Sequence, residues 1–344
     1  MPSSAYVRTL PKVQLHCHLE GSVAPQTFRK LAARHGVDIG VRGVGPPEDA
    51  YAFSTFGEFL LLFAEVCKTL RTPEDFADVA RDYAADAIAH NVLYAEIFIS
   101  PSVWTYFHRD IDVRGVVAGM RRVFDEARRD HGLRVAFIAD LTRNFGPEHA
   151  VASAYQAAKL RDLGVVGIGL GGDEAKYPAR LFAEAFDVAR IEGLHVVAHA
   201  GEAAGPESVR EALDILGAER IGHGVRSLED DALVDDLAWR EAVLEICPTS
   251  NALTGAVPAG TTHPIVEFHR RGVCCVIDAD DPALFGTTIS DEYAKVAAMM
   301  GEGALPHFVR NAIDASFAAD SVKAGLHERL NEFCAETIEG RRNP

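Results

Sequence analysis

The sequence predicts an α/β fold, a (β/α)8 TIM barrel with extra helices after the first strand and at the C-terminus. Three observations carry this prediction. Eight short runs of β-branched or apolar residues recur along the chain, amphipathic segments lie between them, and titratable residues close four of the runs. Strands that alternate with helices form a parallel sheet with right-handed crossovers. Eight such units favour a closed barrel over an open sheet.

The eight apolar runs are the predicted strands of the barrel. They cover residues 13–18, 92–99, 133–139, 165–170, 195–199, 220–223, 243–247 and 273–279. An open, doubly wound sheet is the alternative. That fold would require a Gly-x-Gly-x-x-Gly turn after the first strand, and the sequence has none there.

The segments between the strands have the apolar periodicity of helices. We predict connecting helices over residues 113–129, 148–163, 179–192 and 208–216. Pro147, Pro178 and Pro206 lie near three of the helix starts, where the missing N–H of proline costs nothing. Extra helical segments are expected over residues 55–70, 73–89 and 291–334, and a surface loop over residues 36–50.

Composition and charge exclude several classes of partner. The chain has 344 residues, of which 48% are hydrophobic, and its net charge is −16. An acidic protein is a poor ligand for nucleic acid or for an anionic membrane, so we expect a small-molecule partner. No apolar stretch approaches about 18 residues, the N-terminus lacks the apolar run of a signal peptide, and six cysteines without a Cys-x-x-Cys pair favour a reducing cytoplasm. We expect one domain over residues 1–344 and leave the oligomeric state open.

Four residues at strand ends form a candidate metal site. His16 and His18 are two residues apart at the end of the first strand, so both imidazoles face the same side. A single inward histidine is more often a packed core residue, but His199 supplies a third nitrogen and Asp280 an oxygen. Three imidazoles and one carboxylate suit one zinc ion per chain, with a position left for water.

Three further residues are candidates for catalysis or substrate binding. Glu202 follows His199 by three residues and is placed to move protons, although it could instead cap a helix before Gly205. His223 lies between two glycines, which supply no side chains to pack around it. Asp281 could hydrogen-bond a substrate or act as a helix N-cap.

The motifs together resemble the adenosine/adenine deaminase family of the amidohydrolase superfamily. They are LPKVQLHCHLEGS at residues 10–22, HAGE at 199–202, RIGHG at 220–224, CPTSN at 247–251 and DDP at 280–282, in family order. The resemblance implies a (β/α)8 barrel with one zinc ion. It also implies hydrolytic removal of the 6-amino group of a purine, which yields a 6-oxopurine and ammonia.

The resemblance also implies a role for each site residue. His16, His18, His199 and Asp280 match the zinc ligands, and His18 is expected to border the substrate as well. Glu202 matches the acid that protonates purine N1, and His223 matches the residue that orients and deprotonates the attacking water. Contacts to the substrate are implied for three residues: Asp281 at purine N7, the N–H of Gly172 at purine N3, and Glu20 at the ribose.

The substrate remains open among adenine-containing compounds. Adenosine-specific members usually have Asp where this chain has Glu20, and adenine-specific members often have Glu there. The segment from Gly171 to Glu174, in contrast, resembles the nucleoside type. We expect a 6-aminopurine nucleoside, adenosine or a close analogue. Adenine and modified adenosines such as aminodeoxyfutalosine are the alternatives. Phe53, Phe56, Phe59, Leu60 and Phe63 form either a hydrophobic lid over the purine or ordinary helix packing.

Two other classes of protein compete with the deaminase. A binuclear metallohydrolase on the same barrel would require a carboxylated lysine at the end of the fourth strand. Lys176 comes later than that position, so a single metal is favoured. A metal-binding module without activity should have lost Glu202 or His223, and both are present.

Overall fold

The chain folds into a barrel of eight parallel strands in sequential order. The computed structural model describes residues 4–40 and 51–342. The strands are β1 (Lys12–His18), β2 (Val92–Ile99), β3 (Arg134–Thr142), β4 (Val165–Gly171), β5 (His195–Ala200), β6 (Arg220–His223), β7 (Val243–Ile246) and β8 (Cys274–Ile277). Each strand pairs with the next in parallel register. This order confirms the predicted barrel and excludes the doubly wound sheet.

The barrel is closed at the seam between β8 and β1. A parallel bridge joins Cys17 to Asp280, just beyond the end of β8. The N–H of His18 donates to the carbonyl of Asp280 at 2.8 Å, and the N–H of Asp280 donates to the carbonyl of His16 at 3.1 Å. The seam therefore brings the metal-ligand candidates of β1 next to Asp280.

Helices surround the barrel and connect its strands. Those that precede β6 in the chain are α1 (Ala5–Thr9), α2 (Pro25–His35), α3 (Phe56–Cys67), α4 (Pro73–Ala89), α5 (Pro101–Phe107), α6 (Val113–His131), α7 (Pro147–Ala158), α8 (Ala183–Ile191) and α9 (Pro206–Asp214). The later helices are α10 (Asp231–Trp239), α11 (Pro248–Leu253), α12 (Ile265–Arg270), α13 (Pro282–Phe285), α14 (Ile289–Met300), α15 (Leu305–Ala315) and α16 (Asp320–Arg342).

The helix starts follow the local sequence. Pro147 and Pro206 occupy first-turn positions of α7 and α9, where no N–H is needed. Thr72 and Asp75 form a capping box at the start of α4, each side chain accepting a backbone N–H of the other residue. The extra helices predicted after β1 are thus present as α3 and α4.

Several predicted segments differ in detail from the structure. The helix expected over residues 179–192 begins with a 3-10 turn, Ala179–Phe182, ahead of α8. The helix expected over residues 148–163 ends at Ala158, and a short 3-10 turn, Arg161–Leu163, follows it. The C-terminal segment over residues 291–334 is divided into α14, α15 and α16. Gly301, with φ of 84°, ends α14, and Ser316, with an extended backbone, ends α15. Part of the loop predicted over residues 36–50 lies outside the described residues. Among the described helices, none has the length and apolar character that crossing a bilayer requires.

Candidate active site and metal centre

The candidate residues meet at the carboxyl ends of the strands, around a cavity of about 430 Å³. This is the end at which barrel enzymes carry their active sites. Of the residues selected from the sequence, His18, Gly172, His199, Glu202, His223, Asp280 and Asp281 line the cavity. His16 lies directly beneath, fully buried, with its ring 4.5 Å from that of His199.

Hydrogen bonds fix the tautomers of two candidate ligands. The Nδ1–H of His16 donates to Glu245 Oε2 at 2.7 Å, and the Nδ1–H of His199 donates to the carbonyl of Leu170 at 3.1 Å. A neutral imidazole has one proton, so Nε2 of both rings carries a lone pair. Both lone pairs are therefore available to a metal ion.

His18 and Asp280 complete a group of four converging ligands. His18 Nε2 lies 3.1 Å from His199 Nε2 and 3.4 Å from Asp280 Oδ1. His16 Nε2 lies 3.2 Å from the same carboxylate oxygen and is buried without a hydrogen-bond partner. A buried polar atom without a partner is costly, and nitrogen lone pairs beside a carboxylate are the donors that zinc prefers. The residues present therefore fit a divalent metal ion.

Distances alone group the ligand atoms in two overlapping ways. Those of His16, His199, His223 and Asp280 lie within 4.8 Å of one another, and so do those of His18, Asp280 and Asp281. Asp280 belongs to both groups. Burial opposes its ionisation, but the imidazoles of His16, His223 and His18 close beside it hold the pKa of its carboxyl well below the usual range. A carboxylate in this place supplies the negative charge that a cation requires.

Two of the site residues, His223 and Asp280, have unusual backbone conformations that orient their side chains. His223 has φ of 63° and Asp280 has φ of 60°, in the left-handed region that residues other than glycine rarely adopt. Next to His223, a Cβ on Gly222 would lie 2.7 Å from the ring of His16. Glycine is needed there because the imidazole of His16 packs directly against the strand.

Glu202 is held at the cavity wall by a second carboxylate. Glu174 accepts hydrogen bonds from the backbone N–H groups of Gly201 at 2.6 Å, Glu202 at 3.1 Å, Ala203 at 2.7 Å and Ala204 at 2.9 Å. Glu202 does not cap α9, whose N-cap is Gly205. Its carboxylate lies 3.6 Å from His223 Nε2. Burial, with the nearby charges of Asp280 and Glu174, raises the pKa of Glu202 well above its usual value.

Asp281 occupies the N-cap position of α13 but makes no capping hydrogen bond. Its Oδ1 is buried and has no partner. Gly21 packs so closely against it that a Cβ there would overlap the Asp281 carboxylate. Burial and the adjacent Asp280 raise the pKa of Asp281 well above its usual range. Of the two interpretations of Asp281, the geometry favours contact with a ligand in the cavity.

Glu20 is placed elsewhere. It is fully buried and does not line the cavity. Its Oε1 accepts hydrogen bonds from the N–H of Ser100 at 2.9 Å and from the indole of Trp104 at 2.6 Å. Both donors belong to the start of α5, of which Ser100 is the N-cap residue. The structure therefore does not bring Glu20 to the cavity surface, where a ribose contact was expected.

Asp140, near the end of β3, is a cavity residue that the sequence analysis missed. Its carboxyl group is buried beside Gly169 and Gly171 of β4, where added Cβ atoms would lie 2.6 Å and 2.5 Å from its oxygens. Oδ1 has no hydrogen-bond partner. Burial raises the pKa of Asp140 to about 8. A single aspartate inside an apolar run gives no spacing signal, so only the fold reveals it.

Helix α3 covers the mouth of the cavity. Phe56, Phe59, Leu60 and Phe63 all line it, and Phe59 stacks on Phe285 of α13 with ring centroids 4.9 Å apart. Phe53 lies 5.8 Å from the Phe285 ring but is not part of the lining. Phe59 thus packs on the barrel and also faces the cavity, so the two interpretations of the apolar set do not exclude each other.

A buried ion-pair network supports His16 from below. Glu245 accepts from His16 and also from Arg220 Nε at 2.6 Å, while Arg220 Nη2 lies 2.7 Å from Glu96 Oε2. All four side chains are almost completely excluded from solvent. Although burial raises it, the pKa of Glu245 is lowered overall by the charge of Arg220 and by His16. The ionised carboxylate then orients the ring that carries the lone pair.

Sequence comparisons place these features in a known group of enzymes. The family model described as adenosine deaminase matches residues 11–333. An adenine deaminase of Rhodospirillum rubrum is 38% identical over 328 residues, which cover 95% of this chain and 97% of the relative. An aminodeoxyfutalosine deaminase of Streptomyces coelicolor is 37% identical over 335 residues, covering 96% and 86%.

Solved structures agree with the sequence relatives. An adenine deaminase from Arthrobacter aurescens superposes with a TM-score of 0.88 at 30% identity, covering 94% of this chain and 99% of that one. An amidohydrolase from Burkholderia ambifaria with bound zinc has a TM-score of 0.88 at 30% identity, covering 98% and 94%. An N6-mAMP deaminase of Arabidopsis has a TM-score of 0.81 at 25% identity, covering 96% and 100%.

A parallel eight-stranded barrel with histidines and an aspartate converging at the strand ends defines an enzyme of the amidohydrolase superfamily. The family match and the relatives narrow this class further. The chain belongs to the adenosine deaminase family and is a hydrolytic deaminase.

Proposed function

We propose that this protein is a zinc-dependent aminohydrolase that converts a 6-aminopurine nucleoside, adenosine or a close analogue, to the 6-oxopurine and ammonia. The observation that carries the proposal is the convergence of His16, His18, His199 and Asp280 beside a buried Glu202. Glu202 lies near the candidate metal centre, since His223 Nε2 is 3.6 Å from Glu202 and 4.0 Å from Asp280.

The chain's own residues divide the chemistry among them. A bound zinc ion would lower the pKa of a water molecule, so that an attacking oxygen is available near neutral pH. Carbon 6 of a purine is a poor electrophile until N1 is protonated, and Glu202 has the raised pKa that a proton donor requires. Asp281 and the N–H of Gly172 hold the ring at N7 and N3, and His223 orients the water.

Charge in the cavity argues against a nucleotide substrate. Six carboxylate residues line the described part of the cavity, namely Asp140, Asp173, Glu174, Glu202, Asp280 and Asp281, and no lysine or arginine does. Phosphate groups are bound by arginine and lysine. A 5′-phosphate would therefore find no cationic partner among these residues, which disfavours the nucleotide substrate that the name of the Arabidopsis relative implies.

The size of the cavity argues for more than a bare purine. About 430 Å³ falls within the range of drug-sized pockets, roughly 300–1,000 Å³. Beyond the metal centre the lining continues to Tyr106, Phe107 and Phe145, above the ends of β2 and β3. Asp140 lines the cavity on this side, and its carboxyl group can hydrogen-bond a sugar hydroxyl. Adenine is the second candidate, because several relatives are adenine deaminases.

A substrate panel tests the proposal. Ammonia release by the zinc-loaded protein would be compared for adenosine, 2′-deoxyadenosine, adenine and AMP, with kcat/KM as the measure. We expect adenosine to exceed both adenine and AMP. If adenine has the highest kcat/KM, the protein is an adenine deaminase. If AMP has the highest kcat/KM, the charge argument is wrong. Asp140→Asn should lower kcat/KM for adenosine more than for adenine.

A further inference from the structure

We propose that a chain of hydrogen bonds from His263 through Asn251 fixes His223 as the Nε2–H tautomer, so that neutral His223 is a hydrogen-bond donor to the reacting oxygen and offers no lone pair to the metal or to a proton. Asn251 and His263 are therefore positioning residues. The consequence for turnover rests on the proposed function, whereas the tautomer itself does not.

The chain of hydrogen bonds begins at a backbone N–H group, which always carries its proton. The N–H of Ile265 donates to His263 Nδ1 at 3.2 Å. An acceptor nitrogen carries no proton, so neutral His263 must carry its proton on Nε2. A doubly protonated ring is excluded for the same reason. His263 is largely buried, and burial lowers its pKa to about 4, in keeping with a neutral ring.

The side-chain amide of Asn251 then has one orientation. His263 Nε2 lies 3.3 Å from Asn251 Oδ1, and Asn251 Nδ2 lies 3.0 Å from His223 Nδ1. The opposite orientation would face the amide NH₂ group towards the N–H of His263, leaving two donors in contact. Asn251 is completely buried, so such a mismatch would have no water to relieve it.

The amide therefore sets the proton of His223. Because Asn251 Nδ2 donates, Nδ1 of His223 must accept and Nε2 must carry the ring proton. Nε2 is the atom that faces the cavity, 3.6 Å from Glu202 and 4.0 Å from Asp280. His16 and His199 show the reverse arrangement, with the proton on Nδ1 and the lone pair on Nε2.

Two consequences follow for the site. Neutral His223 has no lone pair on the cavity side with which to bind a metal ion. The group of His16, His199, His223 and Asp280 is therefore not the ligand set, although its ligand atoms lie close together. Neutral His223 also has no basic atom facing the cavity. The deprotonation that the family resemblance implied for His223 is replaced here by orientation of the oxygen through the Nε2–H bond.

Nitrogen NMR of the zinc-loaded protein measures the tautomer directly. Protein with ¹⁵N-labelled histidine would be examined near neutral pH, and the His223 signals assigned by their loss in His223→Gln. We expect an Nε2 shift typical of a protonated nitrogen and an Nδ1 shift typical of an unprotonated one. A proton found on Nδ1, or on both nitrogens, would overturn the proposal even if the enzyme proved to be a deaminase.

Asn251→Asp tests the link to catalysis. A carboxylate accepts from both neighbours, so the proton of His223 should move to Nδ1 and its signals should change. Metal content should stay the same, while kcat should fall about 10²–10⁴-fold, as expected when a catalytic histidine is held in the wrong tautomer. If the His223 shifts and kcat are unchanged, the proposed chain of hydrogen bonds does not set the tautomer and the proposal is refuted. The wild-type spectrum decides the question should this variant not fold.

Asn311→Asp is the matched control. Asn311 Nδ2 also faces a histidine nitrogen, His307 Nε2 at 3.4 Å, but neither residue lines the cavity. The same chemical change should leave both the His223 signals and kcat unaltered.

Discussion

At the scale of single residues, the site is built from side chains whose protons are placed by partners outside the cavity. Glu245 and the carbonyl of Leu170 hold the Nδ1 protons of His16 and His199, so in the neutral rings the facing Nε2 atoms carry lone pairs. Burial keeps Glu202 protonated until a higher pH than an exposed glutamate. Proton positions, and not only residue types, therefore distinguish the ligands from the acid.

Glu202→Gln tests the acid. Glutamine keeps the shape of the side chain but has no proton to transfer, so kcat should fall by about 10²–10⁴-fold while metal content is unchanged. Steady-state ammonia release and elemental analysis measure the two quantities. Glu207→Gln, an exposed change in the first turn of α9, is the control and should be neutral. Turnover near the wild-type rate would remove Glu202 from the mechanism.

Glu245→Gln tests the support of His16. Glutamine can no longer hold the His16 proton with a charge, so affinity for zinc should fall by about 10–100-fold. Competition with a chromogenic chelator gives this affinity. The matched control is Glu219→Gln, since Glu219 also contacts a histidine, His195, at 3.0 Å, at the start of β5. Equal zinc affinities in the two variants would argue against the role of Glu245.

At the scale of elements, the loop between β5 and α9 depends on a residue from a different loop. Glu174, after β4, accepts from four consecutive N–H groups and so fixes the backbone that carries Glu202. Arg143, after β3, links the same loops, because it donates hydrogen bonds to the carbonyls of Tyr177 and His199 at 2.6 Å and 2.7 Å. Neighbouring loops thus position one another above the barrel.

Glu174→Ala tests this dependence. Four N–H groups would lose their acceptor, so the free energy of unfolding should fall by about 1–3 kcal/mol, and kcat should fall because Glu202 is no longer held. Urea unfolding and steady-state kinetics measure the two effects. Glu184→Ala, exposed in the first turn of α8, is the control. A variant that loses stability while its kcat is preserved would show that the hydrogen bonds to Glu174 do not position Glu202.

The elements could be predicted from the sequence better than the supporting contacts. Buried parallel strands are apolar on both faces, so their runs are easy to recognise. The ends of those runs identified the three histidines and three of the six acidic residues that line the cavity. Arg220 and Glu96, in contrast, lie on strands far apart in the chain and form a pair only once the barrel closes. Asn251 and His263 are likewise separated by a loop without periodicity.

At the scale of the whole molecule, the proposed metal spans the seam at which the barrel closes. Among the described residues, β8 and β1 are joined by one bridge, Cys17 to Asp280, with a side-chain bond from Leu15 N–H to Asp278 at 2.8 Å. The other strand pairs share two or more register positions. His16 and His18 lie on one side of the seam and Asp280 on the other, so an ion bound to all three would join the two ends of the sheet.

Removal of the metal should therefore weaken the seam more than the rest of the barrel. Elemental analysis should first find about one zinc ion per chain, because the four ligands enclose one site. At a free zinc concentration about 1,000 times Kd, binding would stabilise the folded state by about 4 kcal/mol, so chelation should lower Tm. Hydrogen exchange should then rise most in β1 and beside Asp280. Exchange that rises evenly over all strands, or two tightly bound ions needed for activity, would contradict a single ion that joins the seam.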